Sequence, residues 1–170
     1  MPLDGTTCLT FRANIRGKLR PRLPSGYFGN ALIRAAVTGD VCDILSEELS
    51  SVAGRINRTI GRIDDEVARS AIDYFELQEK TANSRPAQGS FLTTELAVIS
   101  WLGMPIYDAY FGWGKPLVMM RAESERGGRV YLMDANRDGD GNVRVIVCLK
   151  ATILRELCRV LYATLIPSPL

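Results

Sequence analysis

A chain of 170 residues that is 46% apolar and 24% charged has the balance of a globular protein able to bury a core of its own, and a formal net charge of +2 is too small to argue for a nucleic-acid partner. No apolar run approaches the roughly 18 residues of a membrane span, and MPLDGTTCLTF lacks the basic start and apolar centre of a secretory signal, so a cytosolic location with no membrane partner is expected. The absence of any histidine excludes more: an imidazole base, a Ser-His-Asp relay or a histidine-ligated zinc cannot be completed from these residues.

Leu9, Phe11, Ala13 and Ile15 alternate with Thr10, Arg12, Asn14 and Arg16, the period of a half-buried strand. GKLRPRLPSG, residues 17–26, reads as a loop from its prolines and glycines, and a second strand is expected over about Tyr27 to Val37. Asp40 suits an N-cap. After it Val41, Ile44, Leu45, Leu49, Val52, Ile56 and Ile60 recur at helical spacing until Gly61, which predicts one helix. A further helix opens near Asp64 and Asp65, with Val67, Ala71, Ile72 and Phe75 on one face, and fades into the polar stretch KTANSRPAQGS.

The pattern then switches to strands over Leu96 to Trp101, Leu117 to Ala122, Arg129 to Asp134 and Val143 to Leu149, the last two joined as a hairpin by turn-rich residues. A final amphipathic helix carries Ile153, Leu154, Leu157, Val160 and Leu161. This order predicts an α+β class, a mixed sheet with helices packed on it, in a single domain over 1–170.

Several residues carry potential chemistry. Cys8, Cys42, Cys148 and Cys158 form no CxxC pair and lie in apolar surroundings, so they read as buried free thiols with no metal site implied. Asp134, Asn136, Asp138 and Gly139 match the first half of a calcium loop. The twelfth position is Val145 where a bidentate glutamate is needed, which favours an acidic hairpin turn. Arg12, Arg16, Lys18, Arg20 and Arg22 cluster at a strand end, either to meet ligand phosphates or as a solvated face. Trp101 ends a strand where the chain turns away, so its indole serves either as a flat ligand wall with one N–H donor or as core packing. In DAYFGWGKP, two glycines around Trp113 predict a bent backbone that holds a large ring for packing.

YFGNA (27–31), RSAIDY (69–74), ISWLGMPIYDA (99–109) and FGWGKP (111–116), in this order and spacing, resemble the C-terminal half of a plant BAHD acyl-CoA acyltransferase. The flavour is that of the hydroxycinnamoyl-CoA transferases that acylate shikimate, quinate or amines such as putrescine, agmatine and spermidine. The resemblance runs from Leu9 to Tyr162. It implies a chloramphenicol-acetyltransferase-like domain belonging to a much longer two-domain enzyme, whose HxxxD base lies in an N-terminal catalytic domain that this chain lacks. It further implies acyl-CoA as co-substrate, a small acceptor, no permanently bound cofactor, and no catalytic residue in this chain.

Carried over residue by residue, the resemblance makes Ser100, Trp101 and Arg85 substrate-binding, and Asn30, Asp108, Phe111, Gly112, Trp113 and Gly114 a motif that supports the architecture. Ile99 stands where shikimate-using members often carry threonine, which tilts the expected acceptor toward an amine or another acceptor over shikimate. The family's aspartate before FGWG is Tyr110 here, and its expected arginine partner is Arg16. The isolated chain is expected to be inactive. Two other classes stay open: a non-catalytic module that associates through an exposed domain interface, and a small protein that holds coenzyme A at its basic strand end.

Overall fold

Residues 4–81, 95–120, 127–135 and 141–165 are described by a computed structural model, and they divide into two units, Met1–Leu96 and Ala97–Leu170.

In the first unit β1 (Thr6–Asn14) pairs antiparallel with β2 (Leu32–Asp40), with Thr10 opposite Ala36 and Asn14 opposite Leu32. β2 starts at Leu32, later than the alternation suggests, because residues 27–31 close the preceding loop. The Tyr27 N–H donates to the Pro24 carbonyl (2.9 Å), the Ile15 N–H to the Ala31 carbonyl (3.0 Å), and the Arg16 guanidinium to the Gly29 carbonyl. Thr10, expected on the outer row, is buried. Its hydroxyl donates to the Glu95 carboxylate (3.1 Å).

The long helix expected after Asp40 is two: α1 (Val41–Ser46) and α2 (Leu49–Gly61). Glu47 and Glu48 between them have extended backbones (ψ 158° and 143°). The Glu47 carboxylate accepts the Ser51 hydroxyl (2.7 Å) and pairs with Arg55, so local polar bonds hold the break open. Asp40 takes the N-cap position of α1 without a side-chain capping bond. Since hydrophobic spacing counts residues and not their dihedrals, it ran across a break that leaves Leu45 and Leu49 exposed.

α3 (Asp65–Thr81) begins where expected, and the Asp64 carboxylate accepts the Val67 N–H (2.9 Å) as an N-cap should. Its buried face is turned from the predicted one: Ala68 is 0% exposed and Ala71 flanks the core, while Val67, Ile72 and Phe75 stay exposed. Two alanines let the helix approach closely a core made of Ile15, Leu19, Ala31, Ile33, Ala35 and Ile63.

β3 (Glu95–Ser100) enters the second unit at Ala97, and from there it runs parallel to β4 (Arg129–Asp134), with Ser100 opposite Leu132. β4 pairs antiparallel with β5 (Val143–Cys148), with Asp134 opposite Val143, as the hairpin pattern requires. Tyr131 and Met133 point to the same side of β4 and are the largest fully buried side chains, each stabilising by about 1.5–3 kcal/mol. The strand expected over Leu117 to Ala122 is not formed at 117–120, and 121–122 fall outside the described residues. Met119 shows the reason: its N–H goes to the Tyr107 hydroxyl (3.4 Å) and its carbonyl to Arg144 (3.0 Å).

α4 (Ala151–Leu165) buries Leu154 and Leu157 partly and leaves Ile153, Val160 and Leu161 exposed. Parallel and antiparallel pairing with helices is the mixed α+β architecture expected. The cysteines are free but not buried: Cys42 and Cys158 are exposed on α1 and α4, and Cys8 and Cys148 are half-buried. No described helix is long and apolar enough to cross a membrane.

Candidate functional site

The second unit's polar bonds converge on the end of β3. There the Trp101 N–H donates to the Leu132 carbonyl (2.7 Å), extending the ladder one residue past Ser100, and the chain then turns sharply. The turn closes with the Met104 N–H on the Trp101 carbonyl (3.2 Å), with Gly103 in the left-handed region (φ +70°) at its third position. The Leu102 N–H faces the Ser100 hydroxyl (3.4 Å), and the Gly103 N–H donates to Asp134 Oδ2 (3.0 Å). Trp101 is half-buried, its indole set against the ring of buried Tyr131 at 6.2 Å and 54°. The result is a flat apolar surface with one face supported, and beside it Ser100 is exposed with its hydroxyl over the turn.

The FGWG block lies next along the chain. Gly112 and Gly114 both adopt positive φ (97° and 103°), so the backbone is bent as predicted. The predicted packing is not found: Trp113 is 94% exposed, with Tyr110, Phe111 and Leu117 also exposed. The bend therefore presents the ring outward. Asp108 ion-pairs with Lys115 (2.9 Å), which closes the block locally across its own two ends.

Arg16 is half-buried and answers the question raised by Tyr110. It donates to the Asn14 carboxamide (3.5 Å) and the Gly29 carbonyl, and its guanidinium lies 5.9 Å from the Tyr27 ring centroid. With those partners it is not a stranded charge in the absence of the family's aspartate. Tyr27 to Asn30 otherwise face solvent, Phe28 fully and Asn30 as an exposed side chain, with Gly29 half-buried.

Of the basic cluster, Arg12, Lys18, Arg20 and Arg22 are exposed. Arg20 is tied down through its backbone: its N–H donates to the Asp65 carboxylate (2.7 Å), and Arg69 bridges Asp65 (3.0 Å) and the Arg20 carbonyl (2.5 Å). The Arg20 N–H, and after it Arg69, hold the Asp65 carboxyl below the usual aspartate range. Arg69 belongs to RSAIDY, so this block anchors the basic loop to α3. Ser70, Ala71 and Tyr74 of the same block line an open groove of about 520 Å³ with Ile33, Arg34 and Phe75. Sequence reasoning did not find this groove.

Arg85 lies outside the described residues, as do Asn136, Asp138 and Gly139 of the calcium-like segment. Asp134, the first residue of that segment, spends one carboxylate oxygen on the Trp101 turn. Sequence reasoning also missed Tyr107 and Arg144. The Tyr107 hydroxyl approaches the Asp134 and Ala135 carbonyls (3.5 Å each), and Arg144 donates to the Met119 (3.0 Å) and Ala135 (2.9 Å) carbonyls. An arginine inside a strand of valines was the one available signal.

The architecture is shared with solved structures of chloramphenicol-acetyltransferase-like fold. Vinorine synthase matches with a TM-score of 0.67 at 20% identity, over 90% of this chain and 34% of that one. An F. graminearum protein crystallised with coenzyme A and T-2 mycotoxin matches at 0.76 and 17%, over 94% and 36%. A family model described as the transferase family matches residues 1–161, and the chain belongs to this family, the BAHD acyltransferases.

Among its relatives are putrescine hydroxycinnamoyltransferase 1 of Oryza sativa subsp. japonica (38% identical, 95% of this chain, 38% of the relative) and a hydroxycinnamoyltransferase of Narcissus pseudonarcissus (35%, 95% and 37%). Shikimate O-hydroxycinnamoyltransferase of Nicotiana tabacum is 31% identical over 94% of this chain and 36% of its own. The chain thus spans under two fifths of the length of these curated relatives.

Proposed function

We propose that the chain supplies the C-terminal domain of an enzyme that transfers a hydroxycinnamoyl group from coenzyme A to an acceptor amine or hydroxyl. The observation that carries this is the match to named hydroxycinnamoyltransferases over 95% of the chain, joined to Trp101 presented as a supported flat surface at the end of β3. In this reading Trp101 forms the acceptor-side wall, and Ser100 and Arg85 flank the acceptor. The motif residues Asn30, Asp108, Phe111, Gly112, Trp113 and Gly114 shape the domain and its exposed flank.

The reaction requires a base. The acceptor's proton passes to a neutral imidazole, the freed lone pair attacks the thioester carbonyl, and the tetrahedral oxyanion collapses with loss of coenzyme A thiolate. These 170 residues contain no histidine, so the base comes from a second region, either on the same longer polypeptide or on another. General-base removal alone costs on the order of 100- to 10,000-fold in rate. Loss of the opposing wall removes positioning as well. The purified 170-residue chain, given p-coumaroyl-CoA with putrescine, agmatine, spermidine or shikimate, forms no product; clear turnover would overturn the reading. Mixing it with the portion of the rice relative outside the matched region restores acylation, with amines preferred over shikimate.

A second reading, a non-catalytic association module, is favoured by one observation: Tyr110, Phe111, Trp113 and Leu117 are exposed together in one short segment. Co-purification with the same N-terminal portion but without acylation selects it over the first.

A further inference from the structure

We propose that Asp134 and Arg144 are positioning residues for Trp101, so that the pose of the indole is set from β4 and β5 and not by the turn that carries it. The claim builds on the reading of Trp101 as the acceptor-side wall.

Locally this four-residue turn is held by the 3.2 Å contact from the Met104 N–H to the Trp101 carbonyl and by a long, 3.4 Å contact from the Leu102 N–H to the Ser100 hydroxyl. Such a turn opens easily. β4 grips it at two further points: the Leu132 carbonyl holds the Trp101 N–H from below, and the Asp134 carboxylate holds the Gly103 N–H from beyond. The second is a bond to a charged acceptor, stronger than its neutral counterpart. Tyr131, on the same strand, supplies the ring that backs the indole. Three residues of β4, Tyr131, Leu132 and Asp134, therefore determine where the indole goes.

Asp134 needs a fixed backbone to do this, because it is the last residue of its strand. Arg144 supplies it. Its register partner is Met133, and its two guanidinium nitrogens donate to the carbonyls of Ala135 (2.9 Å), the residue after Asp134, and Met119 (3.0 Å). Met119 is held again through the Tyr107 hydroxyl, which lies on the chain leaving the Trp101 turn. One planar fork thus joins the far end of β4 to the segment after FGWGKP, a geometry that lysine cannot reproduce.

The test uses the full chain carrying Trp113→Phe, which leaves Trp101 as the single indole. Two readouts are followed: the near-ultraviolet circular dichroism band of Trp101, and the exchange rate of the Gly103 amide relative to that of Ile146 in β5, which lies opposite Tyr131. In Asp134→Ala the Trp101 band collapses and relative Gly103 exchange rises about tenfold, the size expected for losing a bond to a charged group. Asp134→Asn, which keeps an acceptor oxygen, restores most of both. Arg144→Met shifts both readouts in the same direction by less. A merely structural loss accelerates Gly103 and Ile146 alike, so their ratio separates the two.

The proposal is overturned if Asp134→Ala, or Arg144→Met should the former not fold, keeps the native band and the native ratio. It is equally overturned if Asp134→Asn is as impaired as Asp134→Ala. Neither readout needs a ligand. Failure of the wall reading is seen separately, as unchanged kcat/KM for Trp101→Ala in the chain mixed with the portion of the rice relative outside the matched region.

Discussion

Placing the same side chain at two glycines of this chain should have opposite effects, because only one of them lies in the left-handed region. At Gly103, with φ +70°, an added Cβ meets nothing within 4 Å, so Gly103→Ala incurs no steric clash and its whole effect is backbone strain. Moving a residue with a Cβ into that region costs about 1–2 kcal/mol. At Gly17, which also has open space around it and no positive φ, Ala strains nothing and removes freedom from the unfolded chain, a gain of about 0.4–1 kcal/mol.

Urea denaturation measures both. With a slope of about 2 kcal/mol per molar, Gly103→Ala lowers the midpoint by roughly 0.5–1 M and Gly17→Ala raises it by roughly 0.2–0.5 M. Gly103→Asn should lie between wild type and Gly103→Ala, since asparagine tolerates that region best among residues with a Cβ. The reasoning fails if the two alanine variants move the midpoint in the same direction, or if Asn at 103 is worse than Ala.

Ala68→Leu forces extra methylenes into a site with no exposed surface and should cost about 1–3 kcal/mol by the same urea measurement, whereas Val67→Leu, one position away on the exposed side, should be within about 0.5 kcal/mol of wild type. Arg16→Met removes a half-buried guanidinium from the Gly29 carbonyl and Tyr27 ring and should cost about 1 kcal/mol, discounted for its contact with water, with exchange of the amides of residues 27–30 accelerating first. The Asp65 carboxyl is held below its ordinary value by the Arg20 N–H and by Arg69, so its contribution is fully present above pH ~4 and is lost as pH falls through the lowered folded value. Acid titration of Asp65→Asn against wild type should therefore show the two curves converging below that point and separating above it, and parallel curves throughout would contradict the assignment.

Part of the recognition block at Ile99 to Ala109 could be interpreted without coordinates, and part could not. Trp101 at a strand end, the Gly103 turn and the β4–β5 hairpin follow from local rules: alternation, turn residues and the reach of one or two neighbours. The same local rules located α3 and the acidic residues at its start, while the capping bond from the Val67 N–H to Asp64 was seen only in the structure. Asp134 was legible only as half a calcium loop, because its partner is an amide of Gly103 brought near by parallel pairing of β3 with β4. No spacing rule links those two positions.

Where the sequence reading erred, it erred over long-range or dihedral information. The break at Glu47–Glu48 is held by Ser51 and Arg55, which a count of apolar spacing does not weigh. Met119 reads as strand from its neighbours, but its backbone bonds go to Tyr107 and Arg144. Trp113 reads as a packed ring, yet the backbone bend at Gly112 and Gly114 points it to solvent.

Residue order alone was enough to determine the class, the family and the lack of an imidazole base, since these depend on composition, period and motif spacing. Which face of each helix is buried, what Arg16 binds and what holds Trp101 were decided only by tertiary structure. Those outcomes depend on which backbone groups distant segments leave unpaired, and a hydrogen bond forms only where folding brings such a group within about 3 Å.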